Sequence, residues 1–169
     1  ADGAILRNPL AYRDPHTVGM QEKFFKKIKK EDVYDITGIQ FMDFNSLFQL
    51  FAMKEHSDSA LQNAEKVLFI PDALSYMLTG KMVCEYTIAS TSQILDPRTK
   101  KLDEKLLASV GLSRHRFGHM TNPSTVIAPL SEEVQKMTGL GAIPVIAVAG
   151  HDTASAVAAV PAKDQNFAY

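Results

Sequence analysis

Gly150-His151-Asp152-Thr153 lies between an apolar run and a run of small residues, and it brings together a carboxylate, an imidazole and a hydroxyl. A carboxylate such as Asp152 can take the proton from a substrate hydroxyl as that hydroxyl attacks, which is the work of a general base. It can equally serve as the N-cap of the following helix, accepting backbone N–H bonds from the first turn. The two roles compete, because hydrogen bonds to a carboxylate stabilise its anion and weaken it as a base. Thr153 is an alternative cap that would leave Asp152 facing a cleft. His151 is open to two readings as well: satisfied locally beside the helix start, or donating a ring N–H to a ligand hydroxyl.

Other reactive side chains offer less. His115 and His119 have the i,i+4 spacing of a helical metal pair, but Gly118 and Pro123 mark a loop and no third ligand is near in sequence, so no metal site is expected. Cys84 is the sole cysteine, which excludes an internal disulfide and a cysteine-built metal centre. It has no basic neighbour, so a buried, inert thiol is expected. No Gly-x-Ser-x-Gly elbow is present, which excludes that class of serine hydrolase.

The four-residue turn needs a strand to deliver it and a helix to carry the chain away. Residues 143–149 form a continuous apolar run of buried-strand length, and residues 154–160 read as a small-residue helix stopped at Pro161. In open α/β sheets ligands bind beyond the carboxyl ends of strands, where this turn would lie. Upstream, the patterns predict a short strand over 9–12 and helices over 20–30, 31–36 and 45–53, the last with Asn45 as N-cap. Further helices are predicted over 59–68, 71–78, 103–110 and 131–137, with a loop over 114–124. Strands thus fall near the two ends of a helix-rich α/β chain that reads as one domain over residues 1–169.

Composition narrows the function classes. With 18 basic and 19 acidic residues the net charge is −1, so no strong pull toward nucleic acid or membranes is expected. The basic run Lys26-Lys27-Ile28-Lys29-Lys30 reads as a solvated face. No apolar stretch approaches the roughly 18 residues of a membrane span, no signal peptide is recognisable, and a reducing cytoplasm fits best. The chain starts without Met and ends on the β-prone run Asn166-Phe167-Ala168-Tyr169, which reads as a strand cut short and hence as a piece of a longer protein.

Four segments, in order, carry a resemblance. They are Tyr12-Arg13-Asp14-Pro15-His16-Thr17; Gly38-Ile39-Gln40-Phe41 with Asn45-Ser46-Leu47-Phe48-Gln49-Leu50; Ile70-Pro71-Asp72, Leu78-Thr79-Gly80-Lys81 and Glu85-Tyr86-Thr87-Ile88-Ala89-Ser90-Thr91-Ser92-Gln93; and Gly150-His151-Asp152-Thr153-Ala154-Ser155-Ala156-Val157. Together they resemble the FGGY carbohydrate kinases. The resemblance implies part of the N-terminal lobe of an actin-like, ribonuclease-H-like fold. It further implies transfer of the γ-phosphoryl of ATP, with Mg²⁺, to a sugar hydroxyl. In its terms Asp152 is the catalytic base and His151 and Asp152 contact a ketose, with Gln40 and Asn45 also approaching the sugar. The implied ketose is L-rhamnulose, phosphorylated at its 1-hydroxyl, with L-fuculose and ribulose as alternatives. A non-catalytic binding or assembly module of the same fold is the reading from another class.

There are departures from the family pattern. His16 stands where the family usually has Arg, and Leu102 where many members have Trp. The family's Asp-Gly phosphate-binding hairpin and its Ser-Gly-Thr-Trp stretch are not in this sequence. The resemblance therefore implies the back of the sugar-binding lobe, partnered by the remainder of the kinase polypeptide, which would hold ATP and Mg²⁺. On its own this chain is expected to be inactive.

Overall fold

The structure, a computed structural model, describes residues 3–164. In chain order its helices are α1 (Met20–Phe25), α2 (Lys30–Thr37), α3 (Ser46–Glu55), α4 (Ser59–Asn63), α5 (Ile70–Thr79), α6 (Tyr86–Ser90), α7 (Glu104–Ser109), α8 (Glu132–Thr138) and α9 (Asp152–Ala158). The strands are β1 (Val83–Glu85), β2 (Leu95–Asp96), β3 (Lys101–Leu102), β4 (His119–Thr121), β5 (Val126–Pro129) and β6 (Pro144–Ile146). The chain divides into two compact units, one built from residues up to Val67 and from 89–118, the other from 68–88 and from His119 onward.

The first unit is organised by phenylalanine. Phe24, Phe48 and Phe51 are fully buried, and Phe24 meets the other two edge-to-face with ring centroids 5.7 and 5.2 Å apart. Sequence periodicity predicts one helix over 20–30, but the chain turns after Phe25 and restarts at Lys30. Geometry explains the break. Phe24 and Val33 are both fully buried, yet nine residues along one continuous helix would put them on opposite faces. Helix α2 then ends at Gly38, whose φ of 66° supplies the left-handed stop expected there.

Gln93, wholly buried, joins the end of α2 to the segment after it. Its carboxamide oxygen accepts the Thr37 hydroxyl at 2.7 Å, and its amide donates to the carbonyls of Ile39 and Gln40 at 2.6 and 3.0 Å. The hairpin β2–β3 pairs Leu95 with Leu102. Leu102 is buried, so this position serves packing whatever its size.

In the second unit β1 and β4 run parallel, with Glu85 opposite Thr121, and β5 and β6 run antiparallel with an irregularity between Val126 and Ala128. Pro71 in the first turn of α5 and the left-handed Gly80 at its end bound that helix as the sequence predicts. Ser131 caps α8 through its hydroxyl, which accepts the Val134 N–H at 3.3 Å.

Several expectations differ from the structure. Residues 9–12 form no strand, and among the described residues none pairs with them. The helix predicted over 59–68 stops at Asn63, because Ala64 turns to extended backbone and Val67 donates to the Arg116 carbonyl instead. The predicted loop 114–124 holds β4. The expected buried strand over 143–149 is ladder-paired only over Pro144–Ile146, and Ile146 and Val148 are 49% and 66% exposed. The terminal run 166–169 lies outside the described residues. Among the described residues no helix is long and apolar enough to cross a membrane.

Candidate functional site

The turn after β6 is held by a buried acid to which the sequence pattern assigns no role. Glu85, at the end of β1, is 3% exposed, and its carboxylate accepts four hydrogen bonds. One oxygen accepts the Thr87 N–H at 2.8 Å; the other accepts the Thr87 hydroxyl at 2.6 Å, the Ile88 N–H at 3.1 Å and the Gly150 N–H at 3.0 Å. The Thr87 hydroxyl in turn accepts the His151 N–H at 3.2 Å. A methyl group at position 150 would sit 3.0 Å from a Glu85 oxygen and 3.2 Å from Cβ of Pro71, so this is a close approach that only glycine makes without displacement.

His151 and Asp152 leave this anchored turn side by side. His151 takes the N-cap place that the sequence offers to Asp152 or Thr153: its backbone is extended and its Nδ1 accepts the Thr153 N–H at 3.2 Å. An Nδ1 that accepts a hydrogen bond leaves the ring proton on Nε2, where it can be donated to a ligand hydroxyl. Asp152 is the first residue of α9, and its side chain is 98% exposed. Its Oδ1 accepts the Thr153 N–H at 2.7 Å. One carboxylate oxygen thus shares the Thr153 N–H with His151 while the rest of the side chain stands in solvent.

Behind Glu85 lies a second buried acid. Asp72, on α5 and 2% exposed, accepts the Glu85 N–H on both oxygens at 3.1 and 3.2 Å. Burial pushes its carboxyl up to about 6; the bond from Glu85 opposes the shift and the charge of Glu85 adds to it. The fold therefore binds a proton here more tightly than the unfolded chain does. Stability contributed by the protonated form is present below about pH 4 and is lost as the pH rises through 6. Asp72→Asn, which keeps an oxygen for the Glu85 N–H, is expected to raise the melting temperature at pH 7.5 but not at pH 4. The shift corresponds to at most about 3 kcal/mol at ~1.4 kcal/mol per unit. Thermal melts of parent and variant across that range are the check. Cys84, 1% exposed beside these acids, has its thiol pushed up to about 12, chiefly by burial, which makes it the inert cysteine expected.

Gln40 and Asn45 belong to the other unit. Gln40 is exposed, with its carbonyl held by Gln93. Asn45 occupies the N-cap position of α3, but its side chain does not cap. It is 5% exposed; Oδ1 accepts the Met42 N–H at 2.7 Å and Nδ2 donates to the Thr91 carbonyl at 3.1 Å. His115 lies in a 3₁₀ turn and His119 begins β4, so they share no helix. Among the described residues no group of three or more His, Cys, Asp or Glu side chains is placed to hold a metal ion.

The fold is a helix-rich α/β one with an acid at a strand–turn–helix junction, and comparison with known proteins identifies the family. Residues 1–159 match the model of the FGGY family of carbohydrate kinases, N-terminal domain. The chain belongs to that family. It is 64% identical over 168 residues to a rhamnulokinase of Bacteroides thetaiotaomicron, covering 99% of this chain and 35% of that protein. It is 42% identical over 162 residues to a rhamnulokinase of Oceanobacillus iheyensis, covering 96% of this chain and 34% of the relative. The chain thus spans about a third of the length of these curated relatives. Among solved structures, a ligand-bound xylulose kinase from Lactobacillus acidophilus aligns with a TM-score of 0.78 at 22% identity, over 86% of this chain and 30% of that one. A Plasmodium falciparum glycerol kinase with ADP aligns at 0.74 and 19%, over 87% of this chain and 30% of that one. At such identities these neighbours speak for the fold, and they agree with the helix-rich α/β lobe expected from sequence.

Proposed function

We propose that this chain is the sugar-binding part of an ATP-dependent ketose kinase and that Asp152 is its catalytic base. The observation that carries the reading is the exposure of the Asp152 carboxylate on a turn whose backbone is fixed by buried groups. A general base must be accessible to the hydroxyl it deprotonates and must not wander, and Asp152 meets both conditions. Phosphoryl transfer asks mainly for alignment and charge stabilisation, with one carboxylate to receive the hydroxyl proton. His151, with its proton on Nε2, donates to a ketose hydroxyl beside the reacting one and so orients the acceptor.

The substrate proposed is L-rhamnulose, phosphorylated at its 1-hydroxyl, because the two relatives named above are both rhamnulokinases. L-Fuculose and ribulose are the competitors. Gln40, exposed, contacts the sugar, whereas Asn45 acts by ordering the segment that presents it, since both ends of its carboxamide are already bonded. ATP and Mg²⁺ supply the phosphoryl group and its charge neutralisation. In this reading both are held mainly by the remainder of the polypeptide. Residues 1–169 act as one domain of that larger enzyme.

The test is a coupled assay of the full-length polypeptide on the three ketoses, with parent and Asp152→Asn side by side. The highest kcat/KM is expected on L-rhamnulose. A preference for another ketose corrects the substrate, and undiminished turnover by the variant refutes the base. The isolated 169-residue chain is expected to give no phosphoryl transfer in the same assay, and measurable turnover from it would show that the chain holds ATP itself.

A further inference from the structure

We propose that Glu85 and Thr87 are positioning residues that set the backbone of the turn bearing His151 and Asp152; this rests on the reading of Asp152 as base. Two consecutive amides of the turn, those of Gly150 and His151, donate to side chains more than sixty positions earlier in the chain. The two acceptors are themselves joined, because the Thr87 hydroxyl donates to the same Glu85 oxygen that receives the Gly150 N–H. An N–H direction fixes its peptide plane, so anchoring amides 150 and 151 fixes the planes on either side of Gly150. That leaves the backbone little freedom in where it points the side chains of 151 and 152.

The chemistry of the clamp requires these residue types. Four hydrogen bonds converge on the Glu85 carboxylate, three of them on one oxygen. A glutamine would place an NH₂ group against at least one of those donors. Thr87 needs a hydroxyl because it must donate to Glu85 and accept from His151 at once, which a methyl group cannot do. The close approach at Gly150 completes the arrangement: the clamp holds the turn so near Glu85 and Pro71 that a side chain there would press it away. Neither Glu85 nor Thr87 touches the reacting atoms in this scheme. Their effect on catalysis passes through the geometry of His151 and Asp152.

Thr87→Val, Thr87→Ser and Glu85→Gln in the full-length polypeptide test this, with turnover normalised to folded protein. Thr87→Val is expected to lower kcat by roughly 10-fold or more and to raise the ketose KM while leaving the ATP KM unchanged, since misplacing a base by about 1 Å can cost on the order of 10²-fold. Thr87→Ser, which keeps the hydroxyl, is expected to restore kcat to within about threefold. A residue needed only for folding would lower the yield or the melting temperature without changing kcat per folded molecule. Hydrogen exchange at the amides of Gly150 and His151 gives a readout independent of activity: it is expected to speed up in Thr87→Val and in Glu85→Gln. If Glu85→Gln does not fold, Thr87→Val decides alone. Unchanged exchange at both amides, or unchanged kcat in a Thr87→Val protein while Asp152→Asn is impaired, overturns the proposal. Full turnover by Asp152→Asn would instead remove the base reading, and the exchange data would still decide the clamp.

Discussion

Asp152→Asn in the full-length polypeptide is expected to lower kcat for ketose phosphorylation by about 10²-fold or more, the usual contribution of a positioned general base. The barrier increase is about 2.7 kcal/mol at ~1.36 kcal/mol per tenfold. The same substitution is expected to leave the melting temperature almost unchanged. Asp152 is almost fully exposed, and asparagine retains an oxygen for the Thr153 N–H that Oδ1 now accepts. Surface changes of this kind usually stay within about 0.5 kcal/mol. The ketose KM should move little, because the proton is taken as the bond to phosphorus forms rather than when the sugar binds. A large fall in kcat with an unmoved melting curve is therefore the signature sought, and a parallel fall of both would point to a structural role for Asp152 instead.

The local elements of the fold were readable where short-range chemistry decides them. Gly38 and Gly80 end helices in the left-handed conformation, Pro71 begins one, and Asp103 and Ser131 cap two more, all from side-chain and backbone preferences that need no tertiary context. Tertiary packing overrode the pattern elsewhere. The helix predicted over 20–30 stops at Phe25, with Lys30 taken into α2, and the apolar run 143–149 gained only one short partner strand. Ile146 and Val148 look outward although the run is apolar throughout, so patterning alone does not give their burial.

The candidate site shows the same division. His151 and Asp152 stand out in the sequence as a polar interruption between two apolar runs. The sequence offers Asp152 or Thr153 as the cap, whereas His151 takes the N-cap position and shares the Thr153 N–H with Asp152, a role a histidine ring nitrogen can fill. The roles of Glu85 and Thr87 are not legible in the sequence, since the turn amides they hold lie 65 and 64 residues away. One signal was nevertheless present. Val83-Cys84-Glu85 puts an acid at the end of an apolar stretch, and a buried carboxylate needs donors. Asn45 stands at the cap position of α3, but its Oδ1 accepts from Met42 and its Nδ2 donates to the Thr91 carbonyl, the latter a long-range bond that spacing does not reveal.

Phe48→Ala is expected to be the most destabilising single change in the first unit, by about 3–5 kcal/mol, the usual range for deleting a buried phenyl ring. Phe48 is fully buried and meets Phe24 and Phe25 edge-to-face at 5.7 and 5.8 Å and Phe41 at 6.4 Å. Those rings come from two chain segments and also meet one another, so none can move in to fill the space without giving up its own contacts. Phe51 is a useful contrast: it keeps Phe24 at 5.2 Å and carries Lys27 Nζ 4.5 Å from its ring centre, contacts that a change at 48 leaves in place. Phe48→Leu retains most of the volume and should cost distinctly less than Phe48→Ala. Urea unfolding of the 169-residue chain, compared at equal slope, measures both, and equal costs for Leu and Ala would show that ring geometry rather than filled volume holds this core together. The consequence reaches the proposed sugar contact, because Phe41 follows Gln40 directly and its ring is held against Phe48. Phe48→Ala should therefore raise the ketose KM of the full-length polypeptide even under conditions where the variant remains folded.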